Sequence, residues 1–324
     1  MKKALITGIA GQDGSYLAEL LLSKGYEVHG IVRRIAIEDT EHKLKNILHL
    51  KDKINLHVAS LDNVLSLIKT VKDIAPDEIY HLAASSFVSY SFEDEISILN
   101  NNVNSTHYIL ASINEFVPKC RIYFAGSSEM FGNVNQSPQD ETTPFNPRSI
   151  YGISKVASYH LVKNYREQYG IFACAGILYN HESPRRGYEF VTRKIISSAV
   201  KIKYGLQKVL ELGNLDAYRD WGYAPDYVNA MWLMLQASES DDYVIASGKT
   251  HSVREFTETA FKYLGLDYLK YVKINPKFFR PSETFQLCGN PSKAIEKLKW
   301  TRTKFFKDII HEMVNQELFL LEKQ

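Results

Sequence analysis

Tyr151 and Lys155 stand four residues apart in a helical run, a spacing that sets both side chains on one helix face. An ammonium beside a phenol favours the phenolate, so the pair could take a proton near neutral pH. Spacing alone does not single it out. Tyr159/Lys163 and Tyr204/Lys208 share the interval, and chance yields about two such pairs in a chain this rich in tyrosine and lysine. Context separates them. Only Tyr151 follows the strand end Tyr123-Phe124-Ala125-Gly126-Ser127-Ser128-Glu129, with Pro144 and Pro147 stiffening the approach to its helix. That segment would set two hydroxyls and a carboxylate at the carboxyl edge of a sheet. By residue type alone, Glu129 reads equally as an acid/base or as a structural carboxylate.

A second constellation could hold a dinucleotide. The apolar run Ala4-Leu5-Ile6-Thr7 enters the turn Gly8-Ile9-Ala10-Gly11-Gln12-Asp13-Gly14, and a helical pattern follows from Ser15. Gly8 allows the tight turn, Gly11 lets the backbone approach phosphates, and Gly14 lets helix pack on strand. The helix N-terminus offers N–H groups and partial positive charge to the pyrophosphate. An NAD site usually carries an acidic residue about 20 positions on. Here Val32 and Arg33 occupy that neighbourhood, and a guanidinium suits a 2′-phosphate, so NADP is favoured over NAD.

Positioning these groups calls for alternating strands and helices. Strands are expected near 3–7, 27–32, 54–58, 78–82, 121–126, 171–177 and 243–246. Leu17, Leu20, Leu21 and Leu22 mark the first helix, closed by Gly25; Tyr108, Ile109, Ile113 and Phe116 mark a later one. Such alternation means βαβ units and a parallel sheet. The expected fold is α/β: a Rossmann-type doubly wound parallel sheet with a smaller α/β substrate-binding lobe. Residues 1–182, with 220–248, are assigned to the NADP-binding domain. Residues 183–219 and 249–324, where the alternation lapses, form the second lobe over the carboxyl edge of the sheet.

With 45% apolar and 23% charged residues, the 324-residue chain is compatible with a globular protein and excludes disorder. A net charge of +2 with scattered signs gives no nucleic-acid surface or membrane tether. Cys120, Cys174 and Cys288 lack metal or disulfide spacing. No stretch reaches membrane-span length, and the first strand begins almost at Met1, so a cytoplasmic protein is expected.

The chain resembles the extended short-chain dehydrogenase/reductase family, and within it the branch that dehydrates GDP-linked sugars. Beyond the glycine turn and the Tyr151/Lys155 pair, the likeness rests on Gly30-Ile31-Val32-Arg33-Arg34, Asn180-His181-Glu182-Ser183-Pro184-Arg185-Arg186-Gly187, Leu212-Gly213-Asn214-Leu215-Asp216-Ala217, Arg219-Asp220-Trp221-Gly222 and Phe279-Arg280-Pro281. The resemblance implies a lyase that turns GDP-mannose into its 4-keto-6-deoxy product by moving a hydride from C4 to C6 through NADP. Tyr151 would take the 4-hydroxyl proton and Ser127 would hydrogen-bond near O4. Glu129 would serve as acid/base for loss of the C5 proton and of water, with Lys155 holding the ribose. Cofactor contacts are implied for Gly8, Gly11, Gln12, Asp13, Gly14, Arg33, Asp62, Leu82, Ala84, Tyr151 and Lys155. Substrate contacts are implied for Ser128, Asn180, Lys194, Arg219, Arg280 and Glu283, and a homodimer or homotetramer is expected. Adjacent His181 and Glu182 read as satisfied loop residues, and Arg185 and Arg186 equally as structural or substrate-binding.

Several positions depart from the branch pattern: Ser127 for threonine, Ser60 with Asp62 two residues on, Ser85 followed by Phe87, and Thr284-Phe285-Gln286 after Glu283. The last leaves a GDP-linked heptose or N-acetylhexosamine as an alternative substrate. A 4-keto-6-deoxy-sugar reductase of the same fold would also keep Tyr151 and Lys155 but needs no base for C5. A non-catalytic NADP-binding scaffold would have no use for the hydroxyl, carboxylate, phenol and ammonium together.

Overall fold

In the computed structural model, which describes residues 1–84, 92–279 and 286–323, the apolar runs of the first half form strands buried nearly end to end, except the half-exposed edge strand at 54–58. Continuous burial is what parallel strands covered on both faces require. The strands are β1 (Lys3–Thr7), β2 (Glu27–Val32), β3 (Ile54–Val58), β4 (Glu78–His81), β5 (Arg121–Ala125), β6 (Ala173–Leu178), β7 (Asn180–Glu182), β8 (Leu210–Leu212), β9 (Tyr218–Tyr223), β10 (Asp242–Ile245), β11 (Thr250–Ser252) and β12 (Val272–Ile274). The helices are α1 (Gln12–Ser23), α2 (Arg34–Glu38), α3 (Thr40–Lys43), α4 (Val64–Ile74), α5 (Phe92–Phe116), α6 (Ile150–Tyr169), α7 (Val191–Lys203), α8 (Ala224–Gln236), α9 (Val253–Tyr263), α10 (Ser292–Leu298) and α11 (Phe306–Glu322).

Seven strands form one sheet in the order β10-β6-β5-β4-β1-β2-β3, every pair parallel. These are the seven expected strands, displaced by no more than a residue or two. Leu17 and Leu21 of α1, Val228 and Met231 of α8 and Leu298 of α10 share one core. Leu67 and Val71 of α4, Ile109 and Ile113 of α5 and Val162 of α6 fill another. The order reverses between β1 and β4, and in such sheets the crevice beyond the carboxyl ends at that point receives the ligand. The glycine turn after β1 lies at that point.

A third apolar cluster joins Ile195 and Ile196 of α7, Leu210 and Leu212 of β8, Trp221 of β9, Phe256 and Phe261 of α9, and Ile310 and Met313 of α11. It supports two small sheets, β11-β9-β7 and β12-β8. No helix among the described residues is long and apolar enough to cross a membrane.

Candidate active site

The glycines after β1 shape a phosphate cradle. Gly8 has φ +76°, and a β-carbon there would lie 3.1 Å from the Ala83 backbone after β4. At Gly14 a β-carbon would stand 2.3 Å from the Gly8 carbonyl oxygen, so only glycine lets α1 rise this close to the turn. A β-carbon on Gly11 would meet only the Gly8 oxygen, at 3.3 Å, and Gly11 caps α1 without any side-chain hydrogen bond. The first N–H groups of α1 have no intrahelical acceptor, so the cradle fits a dinucleotide pyrophosphate. Thr7 Oγ1 accepts from Leu82 N at 3.1 Å and Ala83 N at 3.0 Å, fixing the segment that leads to Ala84 against the turn. Arg33 is exposed after β2 and Asp62 after β3.

The side chains of Gln12 and Asp13 are engaged within the protein. Gln12 Nε2 donates to the His181 carbonyl at 3.1 Å, and Ser183 Oγ donates to Gln12 Oε1 at 2.8 Å. His181 Nε2 lies 2.9 Å from Asp13 Oδ2, and Nδ1 lies 2.7 Å from the Tyr179 carbonyl oxygen. Both partners are acceptors, so the ring donates from both nitrogens and is an imidazolium. Burial opposes that charge, but Asp13 more than reverses the effect and holds the His181 pKa above its ordinary value. Burial would raise Asp13; the charge and hydrogen bond of His181 hold it low instead. His181 is thus a satisfied residue, as its sequence context suggests, and it anchors the cradle.

The acid/base group gathers at the carboxyl end of β5. Ser127 caps the short turn Ser128–Met130, accepting from Glu129 N at 3.3 Å; Ser128 is buried and Glu129 is exposed. Ser149 caps α6 by accepting from Gly152 N at 3.1 Å, which starts the helix just before Tyr151. A β-carbon on Gly152 would fall 2.6 Å from the Glu129 carbonyl oxygen, so glycine lets the Tyr151 turn press onto the Glu129 turn. Lys155 is 4% exposed, donates from Nζ to the Ala125 carbonyl at 2.7 Å, and lies 5.7 Å from the centre of the Tyr151 ring.

The electrostatics differ from those expected of a Tyr–Lys pair. Burial pushes the Tyr151 phenol up to about 12; a hydrogen bond with Ser127 and the charge of Arg186 pull it down, while Glu129 and Asp13 raise it. Burial also lowers Lys155 to about 7. The lysine donates to Ala125, and the leading contributions that favour the phenolate come from Ser127 and Arg186.

A buried polar seam beneath the pair was not foreseen. Asn102 of α5, 3% exposed, donates from Nδ2 to Ser154 Oγ at 3.0 Å, and Ser154 Oγ donates to the Tyr151 carbonyl at 2.7 Å. The Asn102 carbonyl accepts from Thr106 Oγ1 at 2.8 Å and from Ser158 Oγ at 3.3 Å. Thr106 Oγ1 is 3.2 Å from His81 Nε2, whose Nδ1 is 2.9 Å from Thr7 Oγ1. Burial and the neighbouring Lys155 lower His81 to about 3, so it is neutral and bridges α5 to β1. The sequence held a signal: Asn102, Ser105 and Thr106 interrupt the stripe Ile98, Ile109 and Ile113 on the buried face of α5.

Arg186 also enters the site from the loop after β7. Its Cζ lies 3.6 Å from the centre of the Phe190 ring and its Nε 3.3 Å from Glu182, which also accepts from Thr192 Oγ1 at 2.5 Å. Farther out, Asn180 opens β7 beside Trp221 of β9, and Arg219 pairs in register with His251 of β11. Lys194 Nζ donates to the Glu211 carbonyl at 2.8 Å and sits 4.2 Å from the centre of the Phe278 ring. Burial lowers its pKa, against the pull of Glu211. Arg280 and Glu283 lie outside the described residues, as do Ser85, Phe87, Thr284 and Phe285. The flanks of residues 280–285 are described: Phe278 beside Lys194, and Gln286 hydrogen-bonded to Thr250.

Comparisons with known proteins cover the whole of this arrangement. A family model described as GDP-mannose 4,6 dehydratase matches residues 5–313. GDP-mannose 4,6 dehydratase 2 of Arabidopsis thaliana is 48% identical over 332 residues, covering 100% of this chain and 88% of the relative. GDP-mannose 4,6 dehydratase of Homo sapiens is 45% identical over 341 residues, covering 98% and 92%. Among solved structures, dTDP-glucose 4,6-dehydratase from Bacillus anthracis in complex with NAD superposes with a TM-score of 0.85 at 19% identity, covering 99% of this chain and 98% of that one. RMD from Pseudomonas aeruginosa complexed with NADPH gives 0.80 at 20% identity, covering 98% and 100%.

Proposed function

The chain belongs to the GDP-mannose 4,6-dehydratase family, and from that premise we propose that it converts GDP-mannose to GDP-4-keto-6-deoxymannose with NADP as its resident cofactor. The observation that carries the reading is the gathering of Ser127, Glu129, Tyr151 and Lys155 at the end of β5, in a chain matched along its length. The cradle of Gly8, Gly11 and Gly14 would hold NADP, which would supply a reversible hydride acceptor for the C4-to-C6 transfer without net consumption. Tyr151 Oη takes the 4-hydroxyl proton, with Ser127 Oγ hydrogen-bonding O4. The 4-ketone acidifies the C5 proton, which Glu129 removes; the same carboxyl protonates the departing C6 hydroxyl, and water leaves. As the hydride reaches C6, C5 takes up a solvent-derived proton, balancing the one that Tyr151 took from the 4-hydroxyl and releases. An exposed carboxylate on a rigid turn can make both transfers without moving its backbone.

Arg33 supports NADP over NAD through its charge and forked donors near a 2′-phosphate. The NAD and NADPH complexes of the two solved structures are in keeping with a nicotinamide cofactor. Lys155 holds the nicotinamide ribose; Gln12 and Asp13 act through the shape of the cradle. Ser128, Asn180, Lys194, Arg219, Arg280 and Glu283 bind the GDP-sugar, whose diphosphate suits guanidinium donors. We assign residues 183–219 and 249–324 to that lobe, and the active form to a cytoplasmic homodimer or homotetramer.

The test is to incubate the protein with GDP-mannose and catalytic NADP⁺ in D₂O. The expected product has lost one water, carries deuterium at C5, and forms without net NADPH. A folded, cofactor-loaded protein that leaves GDP-mannose unchanged would overturn the assignment of substrate.

A further inference from the structure

A cavity of about 400 Å³ lies behind the loop that carries Arg186, and none of Ser127, Glu129, Tyr151 or Lys155 lines it. Its walls come from Tyr16 of α1, Lys45, Tyr188, Arg193 of α7 and Gln316 of α11. Arg193 is the informative group. It is 2% exposed, and its Nη2 is shared between Glu317 and Tyr188 Oη, the latter at 3.1 Å. Its Nε and Nη1 are buried without any acceptor, whereas Arg186, which lines the same space, has its Nε 3.3 Å from Glu182. Buried guanidinium donors without an acceptor are rare in folded proteins and call for an explanation.

Glu317 balances the Arg193 charge through Nη2 and leaves Nε and Nη1 without an acceptor, and the other charges of the lining are largely engaged. Arg185 is occupied by Glu19 at 2.5 Å and by Ser15 Oγ at 3.0 Å. The lining carboxylate Glu312 is held by Lys304 at 2.7 Å and Tyr223 Oη at 3.0 Å. Lys45 stands at the exposed rim with Nζ 5.3 Å from the centre of the Tyr188 ring. We propose that this cavity binds a phosphate-class dianion, inorganic phosphate or a phosphate monoester, through Arg193 and Lys45. Forked guanidinium donors match tetrahedral oxyanions.

Calorimetric titration of the cofactor-loaded protein with inorganic phosphate, and separately with glucose 6-phosphate, tests this in saturating GDP at matched ionic strength. One site per chain is expected, unaffected by GDP and not mimicked by chloride. Binding should weaken at least tenfold in Lys45→Glu and vanish in Arg193→Gln. Tighter binding of the ester assigns the site to phosphorylated metabolites, and equal or weaker binding to inorganic phosphate. No saturable heat, displacement by GDP or mimicry by chloride would overturn the proposal. Should Arg193→Gln fail to fold, the exposed Lys45→Glu variant decides, and unchanged affinity in it overturns the site.

Discussion

His181 and Asp13 form a part-buried ion pair that ties β7 to the turn after β1, with Nε2 2.9 Å from Oδ2 and the other ring nitrogen 2.7 Å from the Tyr179 carbonyl. The His181 pKa is raised, so its stabilisation is complete below about pH 6.5 and lost as pH rises through its folded value. The Asp13 pKa is lowered, so its share is complete above about pH 3.8 and lost as pH falls through its folded value. The pair is therefore worth most between those limits. His181→Gln should cost about 2 kcal/mol at pH 6, since it leaves a part-buried carboxylate without its counter-charge. Melting curves at pH 6 and 9 check this: the gap to wild type should narrow at pH 9, and an unchanged gap would sink the imidazolium.

Lys155 carries the opposite sign. Burial holds its folded pKa at about 7, below that of the unfolded chain. Below pH 7 the fold therefore bears the cost of a buried ammonium, a cost that fades as pH approaches 10.5. Lys155→Met should abolish turnover yet melt a few degrees above wild type at pH 6, with the advantage gone near pH 10. A variant less stable than wild type at both pH values would contradict this account.

Gly152→Ala forces a β-carbon to within 2.6 Å of the Glu129 carbonyl oxygen, so two backbone turns of the active site must part. Overpacking of this kind costs about 1–3 kcal/mol, and a displacement near 1 Å at Tyr151 is worth roughly 10²-fold in kcat. Gly170→Ala, at the far end of α6 with φ +68° and open space around it, is the control. It should lose stability and keep kcat.

Glu129→Gln and Tyr151→Phe should stop the reaction at different points. With Tyr151→Phe, no hydride leaves C4, so the 340 nm absorbance of a single turnover stays flat and kcat falls by about 10³-fold. With Glu129→Gln, the absorbance should rise once and persist, with no deuterium exchanged into C5. Full dehydration by the Gln variant would remove Glu129 from the mechanism.

The seven central strands were legible because each is a short apolar run bounded by turn residues, and burial on both faces leaves such a run little else to become. Ser127, Glu129 and Tyr151 were legible because one segment carries two of them and a capped helix carries the third. The seam was harder to read. Asn102, Ser154 and Ser158 look like ordinary polar helix residues until α5 and α6 are brought together, and their hydrogen bonds exist only in the tertiary structure. Arg186 was ambiguous for a similar reason: only the folded loop brings its charge to bear on Tyr151. The Tyr–Lys spacing suggested a direct electrostatic partnership, but spacing says nothing of the Ala125 carbonyl that engages the ammonium.

The Asn102 carbonyl accepts hydroxyls from its own helix and from its neighbour, while its side-chain amide reaches Ser154, so α5 and α6 are stitched together below Tyr151. Such a stitch does not fray one bond at a time, because each group released inside the seam would be stranded without water. The two helices should therefore breathe as a single cooperative unit. Their central amides should be among the slowest in the protein to exchange, with protection close to that of global unfolding.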